Sequence, residues 1–396
     1  MPRSRKYSHI VLLLTLLVCV CAVRQARARE ATAAVFPSRE TEIVIAAVGD
    51  IMMPISIQRA VARNKHHYDL LFEKIAPDLT SADIVFANLE TPVDHKAAVS
   101  GYPKFNARPE LLAALRKAGV GIVSVANNHA LDRGADGLKR TLDNIEAAGL
   151  RFTGAGRTKA EAGKVAHAAV RGVSVAFLAY TYDTNEGLPR KRKDAPGVNI
   201  LKNDSAADLG RAVAAVGDAR KAADLVVVSL HWGDEYRTIP TPWQRKAAAA
   251  LIEAGADIIL GHHPHVLQPI ESYTSRDGRR GLIAYSLGNF ISSQNYGVSN
   301  QNRTHAKALR GDGVILNIVV TKEHGKASVR RAEFLPIWTY RDVTGKTTLY
   351  RPVSLDREIA RIEKITKRTS EQDNTLKLLK FRRKVITDTL TVKTAR

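Results

Sequence analysis

Between residues 42 and 290, short uninterrupted apolar runs alternate with longer stretches in which apolar residues recur every third or fourth position. The runs predict buried strands, and the recurring pattern predicts helices packed over them. Strands are expected at Glu42–Val48, Asp83–Ala87, Gly121–Val125, Val173–Tyr180, Leu225–Leu230, Asp257–Leu260 and Leu282–Ser286. Helices are expected at Asp69–Leu79, Pro109–Ala118, Ala135–Ala148, Ala206–Ala223 and Pro242–Ala254, with proline or glycine marking several of their ends. This rhythm predicts an α/β domain whose helices cover the faces of the sheet. Gly313–Val320 and Ser328–Pro336 read as a final pair of strands, closing a domain over residues 42–340. Residues 341–396 read as a helical extension rich in Lys and Arg, either a docking tail for an acidic surface or a solvated terminal helix.

Polar residues gather just where the strands end. Asp50, Glu90, Asn128 with His129, His231, and the run His262-His263-Pro264-His265 each follow an apolar stretch. In α/β proteins the carboxyl ends of strands are where ligands bind. Gly261 permits backbone angles closed to other residues and Pro264 fixes a dihedral, so the histidine loop is expected to be stiff. Taken singly, Asp50 also suits a helix cap and Glu90 a turn before Pro92. The recurrence at five strand ends points instead to one shared site.

A carboxylate–amide–imidazole set is a mixed hard and borderline donor set. It suits Mn, Fe or Zn better than Ca, which takes oxygen donors alone. One or two such ions would serve hydrolysis, with Asp50, Glu90, an asparagine and several of the histidines as candidate ligands. Glu90 is the candidate bridge, and His129, outside the ligand set, the candidate proton donor. Asn127, Asp132, Arg133, Gly154 and Gly156 are expected substrate contacts. The Thr153–Gly156 turn would serve equally to open the next helix.

Charge and termini narrow the setting. A net charge of +21 and a pI of about 10.0 imply an acidic partner. Residues 1–28 place Arg3, Arg5 and Lys6 before an uncharged apolar run, Ile10–Val23, and then Ala26-Arg27-Ala28. That is the order of a secretory signal, followed by a linker over 29–41. The alternative is an uncleaved membrane anchor, for which the run is short. Cys19 and Cys21 both lie inside the run, so the exported chain would rely on its core rather than on disulfides. Export to the periplasm or beyond excludes nucleic acid as the partner and favours an anionic envelope polymer. Arg190–Lys193 is either solvated surface or a contact for such a polymer.

The ordered motifs Gly49-Asp50-Ile-Met-Met, Asn88-Leu-Glu90, Ala126-Asn-Asn-His-Ala-Leu-Asp132, Gly154-Ala-Gly156, His231-Trp-Gly and Gly261-His-His-Pro-His265 resemble the CapA family of bacterial poly-γ-glutamate capsule synthesis proteins. That family is similar to calcineurin-like metallophosphoesterases. The resemblance implies a four-layer α/β/β/α sandwich, a divalent metal site and a role in capsule polymer assembly within an envelope synthesis complex. It implies metal roles for Asp50, Glu90, Asn128, His231, His262 and His265, and proton donation by His129. Two departures stand out: Met52 occupies the place of a ligand histidine, and an extra residue in the last motif leaves His263 and His265 both open as the final ligand. Three functions follow as expectations: a metal-dependent hydrolase or transferase of an envelope polymer, a non-catalytic polymer-binding assembly factor, or a general phosphodiesterase.

Overall fold

The computed structural model describes residues 41–65, 67–188, 195–344, 347–390 and 393–394. The expected signal segment with both cysteines, the linker up to residue 40, and Arg190–Lys193 lie outside them.

The first sheet begins with β1 (Thr41–Ile51), whose side chains alternate between two apolar layers. Ile43, Ile45 and Ala47 enter one and Ala46 and Val48 the other, as the two-residue period of a strand requires. β2 (Ile84–Leu89), β3 (Ile122–Ser124) and β4 (Arg151–Thr153) continue the sheet in parallel. The connections carry α1 (Ile55–Arg63), α2 (Asp69–Phe72), α3 (Ala76–Leu79), α4 (Glu110–Lys117) and α5 (Gly134–Ala147). Helix α5 buries Leu138, Leu142 and Ile145, spaced four and three apart on one face. Each such side chain contributes roughly 1.5–3 kcal/mol on leaving water. The helix expected over Asp69–Leu79 is two short ones, α2 and α3, because Pro77 supplies no N–H inside a continuous helix but is tolerated in the first turn of a new one.

A two-stranded ladder, β5 (Ala155–Gly156) with β8 (Gly197–Val198), and the short α6 (Lys159–Ala162) lead toward the second sheet. There β6 (Ala166–Val170) runs antiparallel to β7 (Val173–Thr181), which is parallel to β9 (Leu225–His231). Next come β10 (Ile258–His262) and β12 (Arg280–Ala284), both parallel, with β11 (Ile270–Thr274) antiparallel outside β12. Helices α7 (Ala206–Ala222) and α8 (Pro242–Ala254) cover the outer face. The start of α8 is fixed by a capping box between Thr241 and Gln244 with proline in the first turn; Gly255, at φ 125°, ends it.

β13 (Asn289–Ile291) returns the chain to the end of β1. A 3-10 turn (Ala306–Gly311) precedes the antiparallel meander β14 (Asp312–Glu323), β15 (Lys326–Thr344) and β16 (Thr347–Ser354), which extends the first sheet from β1. Helices α9 (Leu355–Glu363) and α10 (Ser370–Leu390) follow. The mixed α/β class is as expected. The apolar residues form three layers: one between the sheets, one under α1–α5 and one under α7 and α8. Phe86 of β2 and Phe177 of β7 stack across the middle layer with centroids 5.6 Å apart.

The boundary expected at residue 340 needs correction. It falls inside β15, and residues 347–354, expected as helix, form the last strand of the sheet. Leu379, Ile386 and Leu390 of α10 enter the layer between the sheets, so the basic segment packs into the body of the domain. Its apolar stripe is buried while many of its charges form ion pairs, such as Lys380–Glu363 and Arg383–Asp356.

Candidate metal centre

Asp50 closes β1 beyond a break in the pairing register with β2. Close packing makes the break possible: a Cβ on Gly49 would lie 1.9 Å from the Gly288 carbonyl oxygen. Asp50 Oδ1 accepts from Asn88 Nδ2 at 2.8 Å and lies 3.3 Å from His262 Nδ1. Oδ2 lies 3.1 Å from His265 Nδ1 and accepts the His263 N–H at 3.2 Å. Burial by itself would raise this carboxyl, but hydrogen bonding and charge from His262 and His265 outweigh it and hold Asp50 well below the ordinary range.

Glu90, just past β2, has the opposite character. It is 0% exposed and, among the described residues, neither carboxylate oxygen has a hydrogen-bond partner. Oε1 lies 3.6 Å from His231 Nε2 and 3.7 Å from His265 Nε2. Burial, and then the nearby charge of Asp50, push Glu90 well above the ordinary glutamate value. A buried carboxyl without donors is costly, and a cation between it and the facing imidazoles removes that cost. Two donor groups share Glu90: Asp50, Glu90 and His231, and Glu90, His263 and His265, with the atoms of each group within 4.8 Å of one another. His262, whose Nδ1 faces Asp50, adds a buried Nε2 that has no hydrogen-bond partner among the described residues. Burial, then repulsion from other imidazoles, lowers His231 well below its usual value and His263 to about 3. Both rings are therefore neutral near pH 7, the form that binds metal. The residues fit a divalent cation.

The histidine loop holds its donors at a conformational cost. His263 and His265 both have positive φ, 93° and 56°, in the region that side chains other than glycine rarely adopt. Both imidazoles left open by the sequence enter the cluster. Met52, at the place of a ligand histidine, is buried in the apolar core instead.

Asn128 Oδ1 lies 2.9 Å from His231 Nε2. Beside it, His129 Nδ1 lies 2.7 Å from Asp132 Oδ2, which also accepts the Phe105 N–H at 2.7 Å. The Phe105 ring meets the imidazole edge-on at 4.6 Å. His129 is thus held through Nδ1, which fixes the orientation of its ring. Asn127 Nδ2 donates to the Leu89 carbonyl at 2.9 Å, tying the ends of β2 and β3 together.

The remaining expected substrate contacts have other partners. Arg133 donates to the Phe105 carbonyl at 3.0 Å and also to Ser100 Oγ and the Lys104 carbonyl, bracing the 100–105 loop. Gly154, at φ 88°, is wedged between Ala126 and Ala179. Gly156 lies against α6, where a Cβ would come 2.2 Å from the Ala162 nitrogen. In the structure Arg133 engages backbone of the 100–105 loop, Gly154 and Gly156 lie against close neighbours, and Asp132 holds His129.

Sequence reasoning assigned no role to Asn88, Tyr182 or Asn289. Asn289 Oδ1 lies 3.2 Å from His265 Nδ1, while its Nδ2 donates to the carbonyls of His265 and Arg310. Tyr182, whose ring centroid lies 4.8 Å from that of His263, is pushed to about 12, chiefly by burial. The available signal was the Gly288-Asn289 step after an apolar run, the same pattern that marked Asp50.

Residues 44–294, the whole of this site, match the family model described as bacterial capsule synthesis protein PGA_cap. The chain is 35% identical over 324 residues to the capsule biosynthesis protein CapA of Bacillus anthracis, covering 80% of this chain and 76% of that one. It is 36% identical over 253 residues to the PGA biosynthesis protein CapA of Bacillus subtilis, covering 63% of each. Among solved structures, the NAD nucleotidase of Haemophilus influenzae overlays with a TM-score of 0.43 at 11% identity, over 88% of this chain and 61% of that one. That likeness is too distant to bear on the site. With the family match running from β1 through β13 and taking in every residue of the buried cluster, the chain belongs to the bacterial capsule synthesis protein family PGA_cap.

Proposed function

We propose that this protein is an exported metal-dependent hydrolase or transferase acting on an anionic envelope polymer. The names of its CapA relatives point to poly-γ-glutamate as the polymer class. The observation that carries the proposal is Glu90, a fully buried carboxylate without donors, shared by two groups of buried ligand atoms. The order of basic, apolar and small residues over 3–28 supports export, and the net charge of +21 supports an acidic substrate.

Asp50, Glu90, His231, His263 and His265 would hold the ion, with Asn128 and His262 close by. The bound cation would supply Lewis acidity and neutralise charge developing on the reacting oxygen. His129, fixed by Asp132, passes a proton from Nε2 to the leaving group. Phe105 covers one edge of that imidazole and limits exchange with water.

Elemental analysis of the purified protein is expected to find Mn, Fe or Zn at one or two ions per chain. Chelation is expected to abolish turnover of γ-glutamyl oligomers, and the removed metal to restore it. A protein that binds the polymer, lacks metal and cleaves nothing would sink the proposal in favour of a non-catalytic assembly factor. Preference for a chromogenic phosphodiester would instead mark a general phosphodiesterase.

Asp132→Asn probes His129 separately. It preserves shape but removes the charge that orients the imidazole, so kcat is expected to fall about 10- to 100-fold. Metal content should stay at the parent level; a drop in metal would place His129 among the ligands instead.

A further inference from the structure

The 3-10 turn Ala306–Gly311 places Lys307 and Arg310 three residues apart, and side chains at that spacing eclipse on one edge of such a turn. Each cation lies over the ring of an exposed tyrosine. Lys307 Nζ sits 3.7 Å from the centroid of Tyr296, which is 59% exposed. The Arg310 guanidinium sits 3.7 Å from the centroid of Tyr236, which is 39% exposed. Among the described residues neither cation is in an ion pair, although most other arginines near acids are. The rise of a 3-10 helix puts their backbones ~6 Å apart along the axis.

This ridge is attached to the metal centre. Asn289 donates to the Arg310 carbonyl at 2.9 Å and contacts His265 through Oδ1. Tyr236 donates its N–H to the Pro264 carbonyl at 2.8 Å, and its ring lies 6.1 Å from that of His265. The two half-buried cations thus form a line that ends at the histidine loop. Stacking on tyrosine limits the freedom of both side chains, so less entropy is lost when an anion binds. Glu235, exposed and interacting with the Tyr236 hydroxyl, sets one negative charge beside the line.

We infer that Lys307 and Arg310, braced on Tyr296 and Tyr236, form an anion track that positions the carboxylates of an acidic polymer strand as it enters the metal cleft. The inference deepens the proposed function by assigning residues to substrate positioning, and it rests on that reading for the direction of the strand.

The test is binding of a γ-linked glutamate oligomer to the full chain by calorimetry, alongside steady-state turnover. Lys307→Gln and Arg310→Gln are each expected to weaken binding about two- to fivefold, through KM rather than kcat, with a smaller effect at high salt. Glu235→Gln is expected to tighten binding, because it removes a repelling charge. A glutamine oligomer of equal length, lacking the charges, should not respond to any of these changes. Unchanged binding in a Lys307→Gln, Arg310→Gln protein that melts with the parent would overturn the track. If that protein fails to fold, failure of Glu235→Gln to tighten binding overturns it instead. Asp50→Asn separates the two ideas: surviving turnover there, with binding still lost in the track variants, defeats the metal mechanism and leaves the track standing.

Discussion

Glu90→Gln is expected to empty the metal centre and reduce turnover by about a thousandfold or more, the scale of several kcal/mol of lost charge stabilisation. Glu90 is common to both donor groups, so neither keeps three ligands when its carboxylate is replaced. The metal-free proteins should show the reverse order of stability. In the folded chain burial and Asp50 hold Glu90 well above the ordinary glutamate value of 4.5. Below that value both folded and unfolded states keep the proton, and the stability contribution is fully present. As pH rises the unfolded chain releases the proton first, so metal-free parent protein loses stability on the way up to the raised folded value. Glu90→Gln carries no such titration. Stripped of metal, it should melt above the stripped parent at neutral pH, with the gap closing toward pH ~4. Metal content by mass spectrometry and melting curves across pH check both halves. A variant that keeps its metal, or a gap that widens in acid, would contradict the assignment of Glu90.

Arg382→Met is expected to cost about 3–5 kcal/mol, the usual scale for stranding one partner of a buried ion pair. Arg382 Nε donates to Asp312 Oδ1 at 2.9 Å, Nη2 pairs with Oδ2, and Nη1 reaches the Arg303 carbonyl at 3.1 Å. The guanidinium lies 5.5 Å from the Trp338 ring centroid, so the pair pins α10 to β14 and β15. Burial lifts Asp312 to about 7, with Arg382 acting against the lift. Without the guanidinium that rise is larger. The variant's deficit relative to the parent should therefore grow as pH rises above about 7, where the parent's folded carboxyl ionises beside Arg382 and the variant's does not, and shrink below it, where the folded carboxyl is neutral in both proteins. Asp312→Leu combined with Arg382→Met removes both charges and should recover most of the loss. Denaturant midpoints on either side of pH ~7 provide the check. An equal deficit at both would mean that packing on Trp338, and not the stranded carboxylate, carries the cost.

The parts of this architecture that could be read from the chain share one property. Strands buried on both faces, such as Leu225–His231 and Ile258–His262, are continuous apolar runs, so their positions and their polar ends are visible without a fold. That is why Asp50, Glu90, His129 and His231 were accessible as candidates. Edge and antiparallel strands carry a weaker pattern: β6, β11 and β16 mix small, polar and apolar residues over a few positions and were missed. The helix Ile55–Arg63, with Gln58 inside its buried set, was missed for a related reason. Asn289 and Tyr182 belong to the site only because β13 and β7 bring them there, a fact of tertiary pairing that no local spacing encodes. Gly154 and Gly156 show the converse ambiguity. A glycine turn looks the same whether it receives an anion or a neighbouring backbone, and here the neighbours fill the space.

Asp50 and Glu90 come from one sheet and His231, His263 and His265 from the other. Ion loading at the proposed centre would therefore double as a clasp between the two halves of the fold. A ligand confined to the native state at about a thousand times its dissociation constant adds ~4 kcal/mol of protection. The chain would then gain part of its durability from the surrounding cation supply, and scarcity of that cation would leave it more open to proteases before any loss of chemistry was felt.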